Sequence, residues 1–264
     1  MVIDYPSLAR VAHDMADAAR EAILPHFRSA ALTSDNKDAQ GFDPVTVADR
    51  AAERAMRDVL ARQRPGDAIL GEEFGAQPGD SGLTWVLDPI DGTRGFVSGT
   101  PTWGVLIAVG PEAGPGLGLI DQPYIGERFI GFDGHAVLHG PLGQSVLRTR
   151  APRSLSEATL FTTFPEVGTP QDRAAFERVA ARAQLTRYGM DCYAYALVAG
   201  GHVDLVIEAG LNAYDIQAPI ALIEAAGGIV TDWDGGPVHA GGRALAAANG
   251  DIHAEALALI RGMP

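Results

Sequence analysis

The chain reads as an α+β half followed by an α/β half, and three patterns predict this. Up to Leu60 apolar residues recur at helical spacing, from Ala68 to about Leu138 they fall in short runs punctuated by Gly and Pro, and after Arg150 strand and helix patterns alternate. The division is expected between residues 140 and 155, giving an N-terminal α+β unit over 1–150 and a C-terminal α/β unit over 151–264.

The first helix is expected over 5–27, with Leu8, Val11, Ala12, Met15, Ala18, Ala22 and Ile23 on the packed face and Asp4 and Pro6 at its start. A polar stretch, 33–43, leads to a second helix with Ala48, Ala52, Met56, Val59 and Leu60 on one side, and Pro65-Gly66 stops it. The runs 85–87, 105–109, 117–120 and 128–132 read as antiparallel strands. Then come a strand at 159–163, helices at 171–184 and 192–199, a strand at 203–207, a helix at 215–226 and a strand at 229–231. No internal repeat or low-complexity tract interrupts this order.

With 264 residues, 47% of them hydrophobic, the chain can bury a core without covalent staples. The single cysteine, Cys192, excludes an internal disulfide and a cysteine-rich metal site, and a reducing compartment suits it. Lys and Arg number 20 against 33 Asp and Glu, a formal charge of -13 that argues against nucleic-acid partners and a basic membrane-surface helix and favours metal cations. Asp4, His13, Asp14 and Asp17 interrupt the apolar core that a secretory signal needs, and no run of about eighteen apolar residues follows, so a cytoplasmic protein is expected. Of seven scattered histidines only His135 and His139 approach ligand spacing, and they lie in a segment that reads as a surface hairpin.

Four segments place acidic residues where apolar patterning switches off: TVAD (46–49), GEE (71–73), DPIDGT (88–93) and YD (214–215). Each has a plain structural reading. Thr46 and Asp49 match a capping box, Asp215 suits a helix start, Glu72-Glu73 suit a solvated loop, and DPIDG suits an ordinary turn. The case for function is joint, because element ends are where sites are built. If Glu72, Asp88, Asp91 and Asp215 converge, their repulsion requires cations. An all-carboxylate set without His or Cys points to Mg2+ rather than Zn2+. The turn at Asp91-Gly92-Thr93 can offer backbone N–H groups to a phosphate.

The segments GEEFG, WVLDPIDGTRGFVSGTPTWGVLIA and AYDIQAPIALIEAAGG, in this order, resemble the inositol monophosphatase superfamily of Mg2+-dependent phosphomonoesterases. Within it, DPVTVADRAAERAM, LGEEFG, DGTRGF and RYGMDCYAYALVAGGHVDLVIEAGLNAYD are most similar to histidinol-phosphate phosphatases. The resemblance implies a layered αβαβα sandwich of the inositol monophosphatase / fructose-1,6-bisphosphatase type and a homodimer. It also implies two or three Mg2+ ions, with Mn2+ as a possible substitute, held by Glu72, Asp88, Asp91, Asp215 and the carbonyl of Ile90. Asp49 and Thr93 then match the pair that activates the attacking water, with Glu72 assisting. Gly92 and Thr93 match the phosphate-holding amides, and Glu208 a contact to the substrate's organic part. Tyr214 stands where inositol phosphatases usually show Trp, and QAP (217–219) replaces their usual run, which puts an inositol substrate in doubt.

Histidinol phosphate carries an ammonium and an imidazole, so its pocket calls for carboxylates and an aromatic wall. Asp191 and Glu208 are candidates for the first, Tyr193 or Tyr214 for the second. Asp191 equally suits a cap of the helix near Cys192, and Tyr193 and Tyr195 equally suit the core. Arg187 is read as bracing a pocket carboxylate or lying on the surface, and Arg94 as a phosphate-side cation or a partner of the acidic cluster. The leading reading is hydrolysis of L-histidinol phosphate in histidine biosynthesis. The rivals are inositol 1-phosphate or another small polyol or sugar phosphate as substrate, and a non-catalytic regulatory homologue.

Overall fold

A computed structural model describes residues 3–30, 34–36 and 44–262; most of the polar stretch 33–43 lies outside the described residues. The amphipathic N-terminal pattern becomes α1 (Tyr5–Ile23), opened by Asp4, whose side chain accepts the Ser7 N–H at 3.1 Å. It ends four residues short of Phe27, which is buried from the following turns. Strands β1 (Ser34–Asn36) and β2 (Pro44–Thr46) form a small antiparallel pair leading into α2 (Val47–Gln63).

Strands β3 (Ala68–Gly71), β4 (Gly75–Gln77), β5 (Thr84–Asp91), β6 (Gly104–Gly110), β7 (Leu117–Gln122), β8 (Glu127–Phe132), β9 (His135–Gly140) and β10 (Gly143–Val146) form one sheet in the order β10-β9-β8-β7-β6-β5-β3-β4. Its pairs are antiparallel except β3 with β5, the one departure from the expected pattern. A short helix, α3 (Thr93–Ser98), follows β5. His135 and His139 are exposed on the β9–β10 hairpin, as their segment suggests.

Downstream, β11 (Thr159–Thr162), α4 (Pro170–Ala180), β12 (Leu185–Tyr188), α5 (Asp191–Ala199), β13 (Leu205–Asn212), α6 (Ala213–Ala225), β14 (Ile229–Thr231), β15 (Gly241–Ala247) and α7 (Gly250–Ile260) complete the chain. The second sheet runs β12-β11-β13-β15-β14, with β12, β11 and β13 parallel and β15 antiparallel to both neighbours. Helix α4 stops at Ala180 rather than reaching residue 184, because the chain turns there to enter β12.

The pleat sorts these elements into layers. Trp85 and Leu87 of β5 face α1 and α2, whereas Val86 faces the core shared with α5 and α6. On β13, Val206 joins that central core, and Leu205 and Ile207 face α4 and α7. The order is helix, sheet, helix, sheet, helix. Helix α6 packs against both sheets, and β7 lets it close in through Gly118, where a Cβ would lie 2.1 Å from the Ala218 carbonyl oxygen. No described helix is long and apolar enough to cross a membrane.

Candidate active site

Asp88 and Asp91 are three residues apart on one strand, and an unbroken pleat would send them to opposite faces. The β5–β6 register shifts between them: Asp88 pairs with Leu106 and Asp91 with Gly104, three steps on β5 against two on β6. That bulge, at Pro89-Ile90, cancels the alternation and brings both carboxylates to one site. Asp88 accepts the Ile90 N–H at 3.0 Å, and Asp91 accepts the Cys192 N–H at 2.6 Å. Gly92 then turns the chain at φ 81°, a left-handed value that suits glycine, into α3.

Asp215 arrives from the first turn of α6, where its carboxylate accepts the Asn212 N–H at 2.7 Å in a capping box. Oxygens of Asp88, Asp91 and Asp215 all lie within 4.8 Å of one another. Glu72 follows β3, its N–H bonded to the Leu87 carbonyl, and it lines the same cleft. The turn that carries Glu72 is pinned from below by Glu53 of α2, which has no exposed surface. Glu53 accepts the N–H groups of Glu73 at 2.7 Å and Phe74 at 3.2 Å, and pairs with Arg57 at 2.8 Å.

Asp49 is held at the start of α2 by the Thr46 hydroxyl and amide at 2.5 and 2.8 Å, so the capping box is real. Its other oxygen lies 3.5 Å from the Thr93 hydroxyl, which also donates to the Ile90 carbonyl at 3.0 Å. Cap and site are therefore one device. Asp49 is buried behind Thr93 rather than on the cleft wall, and burial holds its carboxyl above the usual carboxylate range.

The cleft measures about 300 Å³ and gathers Glu72, Asp88, Asp91, Asp191, Glu208 and Asp215 on its walls. Burial, then Glu72, Asp91 and Asp215, push the Asp88 carboxyl well up; burial, then Asp215 and Asp191, do the same to Asp91. Oxygen-only donors this close, with Asp88 and Asp91 both raised, fit a hard cation, which would remove the repulsion. Asp191 opens α5 at φ 45° and sits against Gly92, whose missing Cβ would fall 2.6 Å from the Asp191 Cγ. It caps nothing, because α5 begins at Asp191 itself and the carboxylate accepts from the Thr102 hydroxyl at 3.0 Å. Glu208 accepts the Thr163 amide and hydroxyl at 2.8 and 2.9 Å, and burial raises its carboxyl to about 7. Arg94 lies at the cleft with its guanidinium 4.7 Å from the Phe164 ring centre.

Gly92, Thr93 and Ile90 line this cleft, as does Tyr214. Arg187 does not: it is exposed on β12, the edge of the second sheet. Tyr193 also points elsewhere, its hydroxyl donating to Glu127 and its ring packing on Phe129. Tyr195, equally read as core, is buried yet lines the cleft, and its hydroxyl has no hydrogen-bond partner among the described residues. Glu53, Thr102, Thr163 and Phe164 were not singled out by the sequence. A charged residue on a polar helix stripe looks solvated, and only the Gly-Glu-Glu turn folding over it buries Glu53.

Layers of helix and sheet with an oxygen-only acidic site between element ends make an αβαβα sandwich whose cleft suits a hard cation. The chain belongs to the inositol monophosphatase family, whose profile matches residues 4–263. Among its relatives, the Arabidopsis thaliana protein named "Bifunctional phosphatase IMPL2, chloroplastic" is 42% identical over 260 residues, which cover 94% of this chain and 73% of that protein. A histidinol-phosphatase from Streptomyces coelicolor is 36% identical, covering 96% of this chain and 97% of the relative. The solved structure of an inositol monophosphatase from Zymomonas mobilis superposes with a TM-score of 0.86 at 39% identity, covering 98% of this chain and all of that one.

Proposed function

We propose that this chain is a Mg2+-dependent phosphomonoesterase that hydrolyses L-histidinol phosphate to L-histidinol and phosphate. The observation that carries this reading is the pair Asp191 and Glu208, set in the same cleft as the Asp88-Asp91-Asp215 cluster. Carboxylates beyond those a cation needs suit the ammonium and imidazole of that alcohol. The histidinol-phosphatase relative supports the same substrate.

Glu72, Asp88, Asp91, Asp215 and the Ile90 carbonyl would hold two or three Mg2+ ions, with Mn2+ as a substitute. Bound there, the cations would neutralise the phosphate oxygens, acidify water and stabilise the departing alkoxide. The chain's own groups supply the rest. Thr93 orients the attacking water and passes its proton toward Asp49, whose carboxyl lies 3.5 Å from the Thr93 hydroxyl and is made more basic by burial. The water oxygen bonds to phosphorus as the ester P–O bond breaks, and the departing alkoxide takes a proton from solvent water and leaves as the alcohol. Amides of Gly92 and Thr93, with the Arg94 guanidinium, face the phosphate, and Asp191 and Glu208 hold the alcohol. The same reading includes a homodimer, as the family resemblance implies, and a cytoplasmic setting that suits the lone buried thiol.

A second reading, an inositol 1-phosphate or related polyol phosphate substrate, is favoured by the likeness to the Zymomonas mobilis structure. Phosphate release from L-histidinol phosphate and inositol 1-phosphate, each with Mg2+ and with EDTA, separates the two. A clear Mg2+-dependent preference for the first ester is expected. A preference for the second would replace the substrate and leave the catalytic assignments standing, and no release from either would overturn both.

A further inference from the structure

The cleft does not end at its carboxylates. Beside Glu208 lies a side chamber of about 290 Å³, walled by Phe164, Glu166, Val167 and Gly168. Arg94, Phe164, Glu208 and Ala209 line both spaces, so the chamber and the cleft adjoin across these side chains.

The loop at 163–169, between β11 and α4, builds this wall in a defined shape. Val167 is buried at φ 37°, a value that β-branched residues rarely adopt, and Gly168 follows at φ 63°. At its end, Thr169 donates its amide and hydroxyl to Asp172 at 2.9 and 2.8 Å, so the loop is clamped to the start of α4. At the other end, Thr163 donates twice to Glu208 and fixes that carboxylate. Between the clamps Phe164 stands 43% exposed where the cleft and the chamber meet, with a ring face open to a planar group. A planar cation already sits near it, the Arg94 guanidinium at 4.7 Å.

The geometry points to a specificity subsite: the side chamber takes the planar, nitrogen-bearing ring of the leaving alcohol, with Phe164 stacking on its face and Glu208 accepting from its ring N–H. The ring takes the place that the Arg94 guanidinium holds on Phe164 in this structure. An aliphatic or polyol ester would bind through the phosphate side alone and gain nothing from Phe164. This inference rests on the histidinol phosphate reading and names the residue that separates that ester from its rivals.

The test compares the wild type with Phe164→Ala and Phe164→Tyr in the full chain with Mg2+. The ratio of kcat/KM for L-histidinol phosphate to kcat/KM for glycerol 2-phosphate is measured for each. Loss of one stacked ring is expected to lower that ratio roughly three- to tenfold in Phe164→Ala, mainly through KM for the histidinol ester, and Tyr should restore it. An unchanged ratio, or an equal loss for both esters, overturns the subsite. Titration of L-histidinol into the Mg2+-loaded proteins by calorimetry keeps the two readings apart. If the wild type fails to hydrolyse the ester, the parent reading falls, yet L-histidinol binding that Phe164→Ala weakens roughly three- to tenfold still supports the chamber. Equal binding by both proteins, or none by the wild type, overturns it.

Discussion

Asp88 shows what the site demands of a single residue. Its carboxyl is 2% exposed and is raised by burial and by three neighbouring carboxylates, so the metal-free protein carries it at a cost. Asp88→Asn keeps the size and removes the charge. It is expected to raise the melting temperature in EDTA while lowering phosphate release at least about a thousandfold with Mg2+. Calorimetry and a phosphate assay on one preparation check both halves; near-normal turnover would remove Asp88 from the metal set. Residue types were readable here, since Asp49, Glu72, Asp88, Asp91 and Asp215 stand at element ends in the bare sequence. Their supports were not. Glu53 and Thr102 act through chain segments remote in sequence, and Arg187 and Tyr193, though close to Asp191 along the chain, end up outside the cleft.

Among the elements, α6 matters most, because it carries Asp215 and lies between the two sheets. Gly118 sets how close it can come: an added Cβ would meet the backbone of Ala218, which has no room to yield. Gly118→Ala is expected to cost about 2–3 kcal/mol, a fall in melting temperature of roughly 5–10 °C. It should also weaken Mg2+ binding, since Asp215 moves with the helix. Thermal melts and a Mg2+ titration test this, and an unshifted melt would show that α6 is not seated through Gly118. Helices with strong apolar stripes and the apolar strands were legible, Ile229–Thr231 to the residue. Strands β12 and β15 and helix α7 were not assigned, because an exposed edge strand such as β12 and a Gly-led run such as β15 lack clean periodicity.

Across the whole molecule, the carboxylates gathered in one cleft make stability depend on pH and metal together. Asp88, Asp91 and Glu208 all have raised carboxyl groups, Glu208 to about 7. A raised acid holds its proton longer in the folded chain, so its contribution is present below the unfolded range, about 4, and is lost as pH rises through the folded value. The half-buried His13 and the buried His253, lowered from 6.5, work in the opposite direction in both metal states. The gap between melting temperatures with Mg2+ and with EDTA isolates the acidic site. It is expected to widen from pH 5 to pH 8, and at a hundredfold excess over Kd the cation should contribute about 2.7 kcal/mol. A gap that stays constant with pH would place the bound cation away from these carboxylates.

The sequence by itself determined the chemistry available: oxygen donors rather than thiolate or imidazole, a phosphate-suited turn after β5, and motifs ordered as in one phosphatase family. Tertiary structure alone decided which groups meet. Asp88 and Asp91 share a site only because a bulge shifts the β5 register, and Asp215 joins them only because α6 is pressed between two sheets. Residue spacing reports local periodicity, whereas convergence depends on register and on layer packing between distant segments. The same distinction holds for the side chamber. Phe164 follows β11 and Glu208 lies within β13, and only the pairing of these two strands brings them to one wall.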